Sequence, residues 1–340
     1  MSQYNCYKYL LDYLLEVGNP IIQYNVLKMK GELTNDVSKR LIDSEVVNYW
    51  LRIFNGIEIH GTKDSAFENS IAKLLEFGLD RSNMKLDSIY CQYLEDSNWD
   101  TNNTFYSELM ATVKYPFLIR AGYFNEPNVN RYFMERLDRI EYTIKKRGVK
   151  VELDESEKPK KYKSKFVFNI DIREEWLPTI YDLYGFSFII DESKELKTRI
   201  EKVVEYILEE EFQSIPDKAY IYDNIKRRYF ATGSVYHACF REERRLLMIY
   251  LLSNFKVAQT SHIFQTELDK LLRMKDNEGY FLFDKELIKE KKDGYFIYSG
   301  SHMGMGESRR SKEWLRIEST YWMLRILKNM DNVEDGIMGA

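Results

Sequence analysis

Hydrophobic positions recur at three- and four-residue spacing along almost the whole chain, the period that puts apolar side chains on one face of an α-helix. The clearest stripe is Val129, Phe133, Leu137, Ile140 and Ile144, opened by Pro127 and stopped by Gly148. A second runs through Phe67, Ile71, Leu74 and Leu75, where Ser65-Ala66-Phe67-Glu68 has the form of a capping box and Gly78 suits a left-handed C-cap. The same period predicts helices over 3–16, 21–29, 35–54, 84–95, 102–121, 175–185, 193–212, 241–254, 257–274 and 311–329. Strand alternation is nearly absent, and only Phe166-Val167-Phe168 reads as a short extended piece. One stretch breaks the pattern. Around 149–169, Glu152, Asp154, Glu155 and Glu157 are interleaved with and followed by lysines at 150, 158, 160, 161, 163 and 165, which predicts a solvated loop excursion. Helical patterning resumes beyond it, so residues 1–340 are expected to form one domain, with 330–340 as a flexible tail.

About a dozen helices with short connections give an all-α fold, with hairpins side by side. Such hairpins close into an (α/α)6 toroid-like barrel or remain an open solenoid. The turn after the helix ending Leu271-Leu272-Arg273-Met274-Lys275 has the form D-x-x-G followed by aromatics, in Asp276-Asn277-Glu278-Gly279-Tyr280-Phe281. It resembles the helix-end turn of the terpenoid cyclase and protein prenyltransferase toroids. The segment Trp314-Leu315-Arg316-Ile317-Glu318-Ser319-Thr320-Tyr321-Trp322 is similar to their closing helix. The resemblance implies a central pocket for an isoprenoid-like or other apolar ligand. The chemistry of that class is missing, however. No D-x-D-D acid occurs, and the nearest acidic string, Asp331-Asn332-Val333-Glu334-Asp335, falls in the expected tail. Neither His237 nor Cys239 has zinc-binding companions at a recognisable spacing, so no metal and no cofactor is expected.

Composition narrows the partners. With 50 basic and 54 acidic residues the net charge is −4, which offers no global field for nucleic acid. No apolar run approaches the ~20 residues a membrane span needs. The first helical stretch is interrupted by Lys8 and Asp12, and the three cysteines (Cys6, Cys91, Cys239) form no disulfide framework. These features fit a cytoplasmic protein. Aromatic residues make up 15% of the chain, led by 26 tyrosines, which suit cores and pocket walls alike.

Candidate chemistry concentrates near the C-terminus. Glu318 lies one helical turn from both Trp314 and Trp322, a carboxylate between two indoles. His302 sits in the glycine-rich Gly300-Ser301-His302-Met303-Gly304-Met305-Gly306-Glu307, with Glu307 and Arg309 beside it, and suits acid–base work near neutral pH. A structural ion pair is the competing reading of Glu318, and helix capping that of His302. His60 and Asp64 bracket a turn before a helix start, where anions bind. Glu68 there is assigned to the capping box. Asp182 and Tyr181 form an aromatic–acid cluster with Trp176 and Tyr184; Tyr229, Tyr236 and His237 form another. Glu175, Thr179 and Asp182 are expected on one helical face, while His262 reads as an ordinary helix residue. Three functions compete: an apolar-ligand toroid, a carbohydrate-active (α/α)6 hydrolase or lyase using Glu318 with Asp182, and a non-catalytic helical scaffold. The first is favoured by the resemblance.

Overall fold

The computed structural model describes residues 7–54, 58–94, 105–148, 150–189, 193–223, 227–231, 237–288, 290, 293 and 297–338. Cys6, Tyr236 and the glycine-aromatic turn at 294–296 lie outside them. The described chain is mainly helical. It begins with α1 (Lys8–Val17), α2 (Pro20–Lys30), α3 (Asn35–Asp43), α4 (Glu45–Ile53) and α5 (Phe67–Glu76). Next come α6 (Met84–Leu94), α7 (Phe105–Leu118), α8 (Pro127–Arg147), strand β1 (Phe166–Phe168), α9 (Ile180–Phe186), α10 (Lys194–Ile207) and α11 (Glu210–Gln213). Strands β2 (Ala219–Asp223) and β3 (Arg228–Ala231) precede α12 (Arg245–Leu252), α13 (Lys256–Gln259), α14 (His262–Leu272) and α15 (Trp314–Met338).

Two compact units emerge. One joins Met1–Ser88 to Arg241–Ala340, and the other is Ile89–Phe240. In the first unit α1 packs against α2 and α15, and α2 to α5 pack serially. Helices α12 and α13 pack against α14 and α15. All ten residues of α5 are buried, including Glu68, Lys73 and Glu76. A helix apolar on one stripe is expected to show its polar face to water; here that face is enclosed, so its charges must find partners.

In the second unit α7 packs against α8 and α9, and α8 against α10. Beyond Pro116 the α7 backbone widens into a π-helical turn, Ile119–Tyr123, in which Gly122 takes φ 99°. That left-handed geometry strains any residue with a Cβ. The small sheet has the order β1-β2-β3, β1–β2 parallel and β2–β3 antiparallel, with Tyr222 opposite Tyr229. Strand β1 matches the extended piece read from the sequence; β2 and β3 are additions. In β2, Ala219 and Ile221 are buried while Tyr220 and Tyr222 are partly exposed, an alternation that tyrosine's dual character conceals.

Several predicted helices are divided. Ser44 separates α3 from α4, Thr260-Ser261 separates α13 from α14, and the 193–212 stretch breaks after Ile207. The helix expected over 175–185 starts only at Ile180, because Pro178 disfavours helical geometry at Leu177. Thr179 and Asp182 instead form a capping box, so Glu175 does not share their face; it pairs with Lys146 and Arg147. The box expected at Ser65 does not form. Ala66 is the N-cap of α5, and the amides of Phe67 and Glu68 donate to the carbonyls of Glu58 and Ile59 at 2.8 and 3.1 Å. In the charged excursion Lys158 is buried between Glu152 and Glu155, which anchors the turn, while Lys160, Lys161, Lys163 and Lys165 are exposed.

Asp182 is the polar keystone of the second unit. It accepts from Arg136 Nε and an Arg136 terminal nitrogen at 2.9 and 2.7 Å, and from the Thr179 amide and hydroxyl at 2.8 Å each. Arg136 in turn stacks 4.7 Å over the Trp176 ring. Removing one partner of such a pair leaves a buried charge, which costs about 3–5 kcal/mol. Asp182→Ala is therefore expected to lower the unfolding free energy measured by urea titration by an amount of that order; a loss within about 0.5 kcal/mol, the range of neutral surface changes, would contradict this role.

Candidate functional site

The first turn of α5 clasps the loop before it with three consecutive side chains. Glu68 Oε1 accepts the Gly61 amide at 2.9 Å and lies 2.6 Å from His60 Nδ1. Asn69 donates to the carbonyls of Gly61 and Lys63 at 2.9 and 2.8 Å, and Ser70 Oγ donates to the Asp64 carbonyl at 2.6 Å. Asp64 and Asp293 then exchange bonds, each carboxylate accepting the other's amide at 3.0 and 2.9 Å. The Tyr49 hydroxyl donates to Asp64 at 3.0 Å. Burial, reinforced by that bond, pushes the Tyr49 phenol up to about 12, so it holds its proton throughout the physiological range. The loop is thus fixed at its backbone, while the His60 side chain keeps 14% exposure above a fully buried Glu68.

Farther along α5, Lys73 is enclosed. Its ammonium donates to the carbonyls of His302 and Gly304 at 3.1 and 2.5 Å and sits 3.2 Å from Glu290. The rings of Phe77 and Trp50 lie 5.0 and 5.7 Å from it. From the other side α15 secures the same loop. Glu318 accepts the amides of Met305 and Glu307 at 2.9 and 3.0 Å and the Arg309 guanidinium at 2.8 Å. Trp322 Nε1 donates to the Met303 carbonyl at 2.7 Å, and Ser319 and Thr320 accept the amides of Phe283 and Phe281. Glu307 accepts the Asn19 amide at 2.7 Å while the Asn19 side chain donates to Met305 at 2.9 Å. Arg309 lies 3.9 Å over the Trp314 ring and 3.3 Å from Glu290. The result is a chain of alternating charge, Lys73–Glu290–Arg309–Glu318, buried at its two ends and exposed at Glu290 and Arg309, threaded through the glycine loop. A Cβ at 304 would meet the Glu290 carboxylate and the Arg309 guanidinium, the ends of two flexible side chains that would have to shift.

These contacts assign the expected residues. In the first unit Glu318, Glu307, Arg309, Trp314 and Trp322 do converge with His302, but His302 contributes its carbonyl and its ring is buried. His60 and Asp64 join one loop through α5. In the second unit Asp182 is held by Arg136 and Thr179, Tyr181 packs 6.0 Å from Phe117, and His237 Nε2 lies 3.3 Å from the Ile215 carbonyl. Tyr229 stacks on Tyr162 at 4.2 Å. His262 begins α14 at the surface. Three residues were not singled out from sequence: Lys73, Glu290 and Glu68. Glu68 was absorbed by an imagined capping box; the other two act across more than two hundred residues, beyond any local signal.

No protein-family model matches this chain. Neither a curated protein nor a solved structure matches it either. Among the described residues no group of three or more His, Cys, Asp or Glu is placed to hold a metal ion, and no helix is long and apolar enough to cross a membrane.

The chemistry available differs between the two acids. Glu318 faces donors on every recorded contact, the setting of a carboxylate that positions a loop. Burial nevertheless pushes its carboxyl up to about 7, with Arg309 pulling the other way and Glu290 adding to the rise. A folded-state value above the unfolded one means the native protein holds this proton longer. Stability from this group is therefore full below about 4.5, declines as pH rises from there to about 7, and is level above. The span is on the order of 3 kcal/mol. Denaturation of wild type and Glu318→Gln at several pH values checks this: their stability difference should shift by an amount of that order between pH about 4.5 and 7, and a difference independent of pH would contradict it.

Proposed function

We propose that the protein is a carbohydrate-active enzyme of the hydrolase or lyase kind, with His60 as its acid–base group and Glu68 holding the imidazole. The observation that carries this reading is the 2.6 Å approach of Glu68 to His60 Nδ1, with Glu68 fully buried and His60 retaining exposure. A carboxylate on one ring nitrogen fixes the tautomer and stabilises the imidazolium formed when the other takes a proton. The clasp of Asn69 and Ser70 preorganises the loop, as proton transfer requires. Tyr49, whose one hydroxyl proton is given to Asp64, ties the adjoining segment to the same loop.

A polar ligand is supported by which candidates remain accessible. Trp322 and Tyr181, expected to line an apolar pocket, are fully buried within side-chain packing, whereas His60, Glu290 and Arg309 keep exposure. The (α/α) toroid remains the architecture of this proposal. Its support is serial helix packing and the pairing of α1 with α15, which makes the first and last described helices neighbours. A second reading, an apolar ligand with an anionic head, draws on a groove in the first unit. Tyr7, Leu11, Met29 and Leu324 line it, with Lys30, Lys328 and Asp331.

Thermal unfolding with added ligands separates the two. A neutral gluco-oligosaccharide at a hundred times its dissociation constant should stabilise wild type by about 2.7 kcal/mol and leave His60→Ala unmoved. Stabilisation by an isoprenyl diphosphate alone, or an equal sugar response from His60→Ala, would overturn the proposal.

A further inference from the structure

The small sheet of the second unit carries a feature that the His60 site does not use. Tyr220 and Tyr222 project from β2, Tyr229 from β3, and Tyr162 joins them from the lysine-rich turn, all partly exposed. Their rings form one cluster. Tyr162 lies 4.2 Å from Tyr229 and 5.2 Å from Tyr220, and Tyr222 lies 4.9 Å from Tyr229. The opposite side of the strand is apolar and closed, with Ala219 and Ile221 buried.

Exposed basic residues flank this cluster along the chain. Lys160, Lys161, Lys163 and Lys165 are exposed on the turn that bears Tyr162, and Lys161 Nζ lies 5.6 Å over the Tyr162 ring. Arg227 and Arg228, at the start of β3, are exposed as well. In the same loop Glu152 and Glu155 are engaged by Lys158; Asp154 and Glu157 are the other exposed acids. The buried Lys158 and the Lys165 amide bonded to the Tyr162 carbonyl at 3.0 Å fix the turn, so the lysines share a defined platform. A local basic rim on a chain of net charge −4 can draw a local anion.

We propose that this tyrosine face and its lysine rim bind an acidic glycan chain, the lysines meeting its carboxylates and the tyrosine hydroxyls its hydroxyl groups. The glycan class rests on the carbohydrate reading of the His60 site; the surface itself stands on ring packing and charge. Single-stranded nucleic acid is the rival occupant, since basic grooves with aromatic rings also bind it. Base stacking needs open ring faces. Here Tyr162 and Tyr229 are stacked on each other at 29°, and Lys161 covers Tyr162. Hydroxyl groups remain the tyrosines' natural contribution to a ligand, and burial keeps the Tyr229 phenol protonated.

The 340-residue chain can be titrated by calorimetry with polygalacturonate oligomers, neutral gluco-oligosaccharides and oligothymidylate. Polygalacturonate should bind in a salt-sensitive manner, at least tenfold more tightly than the neutral sugar. Affinity should drop roughly tenfold when the four exposed lysines are changed together to glutamine. Tyr162→Ala should weaken it as well, while His60→Ala leaves it unchanged. Equal affinity in wild type and the lysine variant, tighter binding of oligothymidylate, or no binding of polygalacturonate would each overturn the proposal. Loss of sugar binding confined to His60→Ala would overturn it while leaving the His60 site supported.

Discussion

Lys73 is the constraint on which the first unit depends. An ammonium fully removed from water is expensive unless every proton is met by an acceptor. It reaches two loop carbonyls and Glu290, and Glu290 passes the demand on to Arg309 and Glu318. Because α5 is enclosed on all sides, Lys73 cannot fall back on solvent without moving a helix. The glycine loop is shaped by that requirement. Its backbone runs close against the Glu290–Arg309 pair at Gly304.

The same helix serves two purposes along its length. Its middle, at Lys73, locks the 302–307 loop; its first turn, at Glu68, Asn69 and Ser70, holds the 60–64 loop. The two differ in what they leave accessible. The first encloses the His302 ring and saturates Glu318. The second keeps His60 at the surface over a buried carboxylate. Acid–base chemistry needs a group that is both positioned and reachable, and of the two histidine loops only the second offers one.

Helical periodicity made most of the helices legible, because a 3.6-residue stripe can be read in a single sequence. Helix breaks at Ser44 and Ser261 were not, since a lone serine is as compatible with a helix surface as with a cap. The neighbourhood of Glu318 was readable from its i, i+4 tryptophans, as was the grouping of Glu307 and Arg309 with it. Its role was less so. Whether a carboxylate between two indoles reacts or positions depends on donors such as the amides of Met305 and Glu307, and amides carry no sequence signature. Glu68 shows the opposite failure. A familiar local motif offered it a partner at Ser65, and the real one, His60, lay eight residues back across a turn.

The central claim is that His60, unlike the enclosed histidines, is set up to react. Carbethoxylation by diethyl pyrocarbonate, read residue by residue by mass spectrometry, tests it directly. The chain has four histidines, so the pattern is unambiguous. Exposed His262 and partly exposed His60 should be modified in the native protein, with His237 and His302 protected and a bound oligosaccharide shielding His60 alone. Modification of His302 as fast as His60, or a His60 rate indifferent to every ligand that binds, would contradict the account.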